Sequence, residues 1–105
     1  MDWVELVPMS EWKYIETSNA EEFCRIEYCG IKKLQDGAAI DFVVTVREYV
    51  KPPDPLMCFF AQADKQVNQQ VAAYTPCGWG KTINEALREC VSAIRKFPYD
   101  PCCNS

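Results

Sequence analysis

Apolar and polar side chains alternate between residues 23 and 65, which is the spacing of β-strands that bury one face. The segment 38–50 shows this alternation most clearly. Its apolar face consists of Ile40, Phe42, Val44 and Val46. The same pattern predicts strands at 23–33 and 56–65, with a short last strand at 71–74.

Turn-forming residues separate these segments. Asp36 and Gly37 tolerate the positive φ of a tight hairpin turn, so the first two strands are expected to be antiparallel neighbours. Three prolines within 52–55 cannot lie inside a sheet and indicate a stiff surface connection. We predict a turn at 66–70 and a loop at 76–80.

The segment 82–97 has helical rather than strand periodicity. Thr82 and Glu85 have the spacing of a capping box, and Pro98 ends the helix because it lacks a backbone N–H group. Apolar residues recur at steps of three and four. The predicted apolar face consists of Ile83, Leu87, Cys90, Val91, Ile94 and Phe97.

Strands followed by one amphipathic helix predict an α+β fold. We expect a three- to four-stranded antiparallel sheet with the C-terminal helix packed on one face. A chain of 105 residues makes a single domain. It divides into an acidic N-terminal arm at 1–22, the sheet and helix at 23–97, and a poorly ordered tail at 98–105.

Charge is distributed unevenly along the chain. The net charge is −4, and residues 1–30 alone hold seven acidic and two basic residues, a net charge of −5. An acidic segment repels nucleic-acid phosphates and attracts basic surfaces, so the expected partner is a basic protein and direct nucleic-acid binding is disfavoured. No apolar run is long enough to span a membrane. Because the first residues do not resemble a signal peptide, we expect a cytoplasmic location, or the cytoplasm of a host cell.

Residues suited to catalysis are scarce. The chain has no histidine, and its seven cysteines never have the C-x-x-C spacing, so we predict no enzymatic activity, cofactor or metal site. In a reducing compartment Cys24, Cys58 and Cys90 are expected to be core residues, whereas Cys102 and Cys103 are expected to be exposed.

Aromatic residues occur beside charges, where a core does not require all of them. Such side chains commonly anchor protein interfaces. The predicted partner-binding residues are Trp3, Trp12, Glu16, Glu21, Glu22, Phe60 and Trp79. The alternative is that the arm folds back and Trp3 or Trp12 completes the core.

The sequence from Thr75 to Thr82 contains most of a phosphate-binding loop, since Gly80-Lys81-Thr82 precedes a helix. Thr75 stands where that pattern requires glycine. A small-ligand or nucleotide-binding domain using Gly78–Thr82 is therefore the alternative function from another class. The more economical interpretation is a turn followed by a capped helix.

The segment Gly80-Lys81-Thr82-Ile83-Asn84-Glu85-Ala86-Leu87 resembles the Gly-x-Thr-x-x-Glu-Ala-Leu step of HicB-like antitoxin domains. The resemblance covers about residues 56–97. It implies antiparallel strands leading into one helix, and neutralisation of a small basic toxin by direct contact.

The sequence favours a small acidic protein-binding module that inhibits or regulates a basic, nucleic-acid-handling protein. Inhibitors that phages make against host defence systems have this size and charge. A HicB-like antitoxin is a special case of this class. A homodimer joined through an open sheet edge is a further possibility.

Overall fold

A computed structural model of the chain describes residues 15–18, 20–69 and 72–104. These residues form an α+β fold, as predicted from the sequence. Its elements are β1 (Cys24–Gln35), β2 (Ala38–Tyr49), β3 (Phe59–Ala63), β4 (Val67–Gln69), β5 (Ala72–Tyr74), β6 (Cys77–Gly80), the helix α1 (Ile83–Lys96) and a 3₁₀ helix (Pro101–Asn104).

The main sheet has four antiparallel strands in the order β1-β2-β3-β6. β4 and β5 form a separate two-stranded hairpin between β3 and β6. The β1–β2 turn lies at Asp36 and Gly37, whose φ angles are 52° and 81°. The predicted hairpin is therefore confirmed, with both turn residues in the left-handed region.

Two predicted connections are in fact strands. Residues 67–69, predicted as a turn, form β4 and pair with β5. The predicted loop at 76–80 contains β6, which pairs with β3 and completes the main sheet. The sequence pattern does not predict β6, because two of its four residues are glycines and glycine is depleted from strands in general. The predicted short last strand exists as β5, but it lies outside the main sheet.

The helix begins after Thr82, as predicted. The Thr82 Oγ1 atom accepts a hydrogen bond from the Glu85 N–H group at 3.2 Å. The Glu85 carboxylate accepts from the N–H group of Lys81, at 2.8 Å, rather than from that of Thr82. The fully buried helix positions are Ala86, Cys90 and Ile94, so the buried stripe includes an alanine that the predicted apolar face omits.

The core lies between α1 and one face of the main sheet. The helix packs mainly against β6 and β3. We call the sheet face under the helix the inner face and the opposite one the outer face. The buried core residues are Phe42, Val44, Val46, Ala61, Ala63, Val67, Ala86, Cys90 and Ile94.

The predicted disorder of the C-terminal tail is wrong for residues 98–104. Tyr99 forms a β-bridge with Val67, and its ring lies edge-on to Phe42 with 6.2 Å between centroids. The side chain of Gln35 donates to the Tyr99 carbonyl and accepts from the Tyr99 N–H group, both at 2.9 Å. Asn104 bonds the backbone of Gln66. These contacts hold the tail against the core, on which Tyr99 packs.

Candidate functional site

The helix covers only the inner face, and the outer face carries a row of side chains across all four strands of the main sheet. Residues directly opposite each other in antiparallel strands share a face. The pairing places Ile26 opposite Arg47, Arg47 opposite Phe60, and Phe60 opposite Trp79. The predicted outward position of Phe60 is therefore correct, and Trp79 lies next to it.

Three aromatic rings form a cluster on this face. The ring centroids of Phe60 and Trp79 are 4.5 Å apart, and those of Tyr49 and Trp79 are 6.0 Å apart with nearly parallel planes. All three side chains are half-buried. Tyr49, Phe60 and Trp79 are called the aromatic cluster below. Its rings support one another and still present apolar area to the outside.

Apolar side chains on β1 and β2 extend this exposed surface. Ile26 is 43% exposed, Val43 40%, Tyr28 70% and Leu34 79%. The β1–β2 register places all four on the outer face. Exposed apolar side chains grouped on one surface indicate an interaction site, whereas isolated ones are ordinary.

Acidic residues border the aromatic cluster at the end of β2. Burial raises the pKa of Tyr49, and the Glu22 carboxylate raises it further, while Arg47 acts in the opposite direction. Glu22 therefore lies within electrostatic reach of the cluster. Glu21 and Glu22 also line an open groove of about 320 Å³ beside Val50. The result is an acidic margin next to exposed aromatic area.

The predicted acidic residues have different local roles. Glu21 accepts a hydrogen bond from the Ser18 N–H group at 2.8 Å, while its own N–H group donates to the Ser18 carbonyl. Its carboxylate thus stabilises a turn. Glu16 and Glu22 are exposed. The predicted contacts Trp3 and Trp12 lie outside the described residues.

The position of Trp79 is determined by the glycines on either side of it. A Cβ atom on Gly78 would lie 2.5 Å from the Ala86 carbonyl oxygen, and one on Gly80 would lie 2.7 Å from the Ala86 nitrogen. Only glycine lets α1 approach β6 this closely. Because side chains alternate along a strand, Trp79 faces outward between them.

The same contacts disfavour the phosphate-binding alternative. A phosphate loop needs free backbone N–H groups, but the Trp79 N–H group donates to the Glu89 carboxylate at 3.2 Å and that of Lys81 to the Glu85 carboxylate at 2.8 Å. Gly78 and Gly80 lie within a strand and pack against the helix. Two carboxylates therefore occupy the place of an anion.

The described cysteines lie in several environments, from buried to exposed. Cys90 is buried in the core, as predicted, and its Sγ atom lies 3.4 Å from the Pro76 carbonyl oxygen. Cys24 and Cys58 are only half-buried, which corrects their assignment to the core. Pairing with Tyr49 places Cys24 on the outer face. Within residues 15–18, 20–69 and 72–104, no group of three potential metal ligands comes together.

The sequence interpretation missed Tyr49, although a signal for it existed. Extending the alternation of 38–50 two positions beyond Arg47 places Tyr49 on the outward face. Its proximity to Trp79 was not predictable in this way, because β6 joins the sheet some thirty residues later in the chain.

Comparison of the chain with protein-family models, curated proteins and solved structures finds no match. None of the helices formed by the described residues is long and apolar enough to cross a membrane.

Proposed function

We propose that this protein is a non-enzymatic binding module whose outer sheet face docks on a basic protein surface. The observation that carries the proposal is the aromatic cluster of Tyr49, Phe60 and Trp79 bordered by Glu22. Half-buried rings beside charged residues, here Glu22 and Arg47, have the composition of an interface centre and its rim.

The cluster and its acidic margin have complementary roles in this proposal. Trp79 and Phe60 provide apolar area that is already ordered, so docking costs little side-chain entropy. Glu16 and Glu22 attract a basic partner and orient it during encounter. Trp3 and Trp12 are additional contacts predicted from the sequence alone.

The partner in this proposal is a protein with a basic surface, of the kind that handles nucleic acid. Docking there blocks the partner's own anionic ligand, so the expected consequence is inhibition or regulation. A phage protein directed against a host defence system is one form of this proposal. A HicB-like antitoxin is a narrower form, and the Gly80-Lys81-Thr82 step before the capped helix supports it only locally.

The test begins with capture of the partner from a lysate of the cells that naturally contain this protein, followed by titration of the purified partner in a calorimeter. Glu22→Lys and Trp79→Ala are each expected to weaken binding by at least roughly tenfold. The control variant Gln69→Lys with Ala73→Lys changes the net charge by the same two units as Glu22→Lys, at exposed positions of β4 and β5 outside the main sheet.

The control is expected to bind like the natural protein. If the control weakens binding as much as Glu22→Lys does, the loss of affinity comes from net charge alone, and docking at the acidic margin around Glu22 is overturned. Unchanged binding by Trp79→Ala, with its fold verified by circular dichroism, would remove the aromatic cluster from the interface.

A further inference from the structure

We propose that β1 pairs with the β1 strand of a second copy of this chain, antiparallel, around a two-fold axis at Gly30. β1 is twelve residues long and forms one edge of the main sheet. Among the described strands, β2 alone pairs with it. A long open edge presents unpaired backbone groups to another chain.

Neighbouring hydrogen bonds identify the backbone groups of β1 that face outward. Val50 donates to the Phe23 carbonyl, whereas Tyr49 donates away from β1 to the Cys58 carbonyl, both at 3.1 Å. Even-numbered residues of β2 therefore bond to β1, and their partners in β1 are odd-numbered. The N–H and C=O groups of the even-numbered β1 residues, Ile26 to Leu34, point to the open edge.

A two-fold axis at Gly30 makes this edge complementary to itself. It places Ile26 opposite Leu34 of the second copy, so two exposed apolar side chains meet on the outer face. Tyr28 comes opposite Lys32, which brings an ammonium group beside an aromatic ring. At the axis the two Gly30 residues face each other, and a Cβ atom there would meet nothing within 4 Å.

The inner side of the same pairing is also complementary. Glu27 is ion-paired with Arg25 of its own chain at 3.0 Å, and it also faces Lys33 of the second copy, so opposite charges lie across the interface. The Lys33 ammonium group donates to the carbonyls of Ile94 and Phe97 in its own chain, at 2.8 and 2.7 Å, so its charge stays on the inner face. The lysines that would ordinarily protect an edge thus find favourable partners.

Other registers lose this complementarity. An axis at Cys29 instead of Gly30 places Arg25 opposite Lys33, so two positive charges meet. An axis at Lys32 places the two copies of Lys32 opposite each other. An axis at Ile31 moves Glu27 from Lys33 to Gln35. Among the registers that keep both helices on one side of the joined sheet, only the axis at Gly30 pairs Glu27 with Lys33.

The first test replaces one facing pair, Ile26 and Leu34, by charged residues. The dimer dissociation constant is measured by sedimentation of the full chain in reducing buffer over a range of concentrations. The natural sequence is expected to dimerise. Ile26→Glu and Leu34→Lys are each expected to weaken the dimer by roughly tenfold, because a symmetric dimer contains the pair twice. The double variant brings opposite charges together across the axis and is expected to recover the natural affinity to within about threefold.

Both substituted side chains are exposed and neither belongs to the buried core, so the substitutions are expected to leave the fold intact. Gln62→Glu adds a charge to the outer face away from the edge and is the matched control, expected to dimerise normally. A monomeric natural protein, or a double variant no tighter than the single ones, would overturn the proposed register. The proposal does not depend on partner docking, because sedimentation of the purified chain measures self-association with no partner present.

Amide hydrogen exchange tests the backbone pairing directly. In the dimer the N–H groups of Ile26, Tyr28 and Lys32 are expected to exchange slowly, and to become fast on dilution to the monomer. The N–H groups of Cys29 and Ile31 bond to β2 and are expected to stay protected at both concentrations. Fast exchange at the even-numbered positions in a dimeric sample would mean that the dimer forms through another surface, and would refute pairing along β1.

Discussion

Individual glycines determine how closely the helix packs on the sheet. The space for a Cβ atom at Gly78 is occupied by the backbone of Ala86 and by the side chain of Glu89. Neither neighbour can move away without shifting the helix. The small side chain of Ala86 completes this close approach from the helix side.

Gly78→Ala is expected to lower the free energy of unfolding by about 1–3 kcal/mol, because the added methyl group pushes α1 away from β6. Urea denaturation followed by tryptophan fluorescence measures the loss. Gly30→Ala, measured at a concentration where the chain is monomeric, is the matched control, since a Cβ atom there meets open space in the single chain. A Gly78 variant as stable as the Gly30 variant would contradict the packing argument.

Among the described residues, Cys90 shows the largest effect of burial on the pKa of a side chain. Burial in the core is the main reason that the pKa of its thiol rises to about 12 from 9.0, and the nearby Cys77 contributes. The folded protein therefore keeps this thiol neutral at pH values where the unfolded chain ionises it.

The raised pKa of Cys90 predicts a loss of stability at alkaline pH. The contribution is fully present below about pH 9 and is lost as the pH rises towards 12, because the unfolded state releases the proton first. We expect the free energy of unfolding to fall less steeply over this range in Cys90→Ala than in the natural protein. An unchanged slope in Cys90→Ala would contradict this prediction.

Among the elements, the helix is the one whose boundaries are most clearly encoded locally. Thr82 has extended backbone angles and accepts from the Glu85 N–H group, while Arg95 and Lys96 occupy the last turn. Basic residues there interact favourably with the negative end of the helix dipole. The ammonium group of Lys33, from β1, adds a further cation at this end.

Thr82→Ala is expected to cost about 0.5–2 kcal/mol of stability, because the Glu85 N–H group loses its acceptor. Thr82→Ser keeps the hydroxyl oxygen and should lose much less. Thermal unfolding monitored by circular dichroism at the helical band distinguishes the two variants. Equal losses would attribute the effect to the Thr82 methyl group rather than to the cap.

At the scale of the whole molecule, the C-terminal residues hold the small hairpin and the main sheet together. The Gln35 side chain bonds both backbone groups of Tyr99, much as a neighbouring strand would. The Asn68 N–H group donates to the Pro98 carbonyl at 2.8 Å. The chain after the helix thereby links β1 and β4.

Gln35→Ala is expected to lower the free energy of unfolding by about 1–3 kcal/mol, since two hydrogen bonds are lost together. The Tyr99 N–H group should also exchange with solvent faster. Gln62→Ala, at an exposed position of β3, is the control and should change neither quantity. An unchanged Tyr99 exchange rate would mean that the tail is held without Gln35, by the β-bridge to Val67 and the bonds of Asn68 and Asn104.

The sequence by itself determined the α+β class, β2 with its buried face, the hairpin at Asp36 and Gly37, and the capped helix. Each depends on residues close together in the chain, so periodicity and turn chemistry are sufficient. The outward position of Phe60 follows from the same local alternation.

Only the tertiary structure decided that Cys77–Gly80 is a strand, that Cys24 faces outward, and that the tail is held by Gln35. The candidate site was likewise predicted only in part from the sequence. The sequence identified Phe60, Trp79 and Glu22 separately, whereas their arrangement around Tyr49 required the order of strands in the sheet. The physical reason is that strand register and helix contact join residues distant in the chain, and local periodicity carries no information about such pairings.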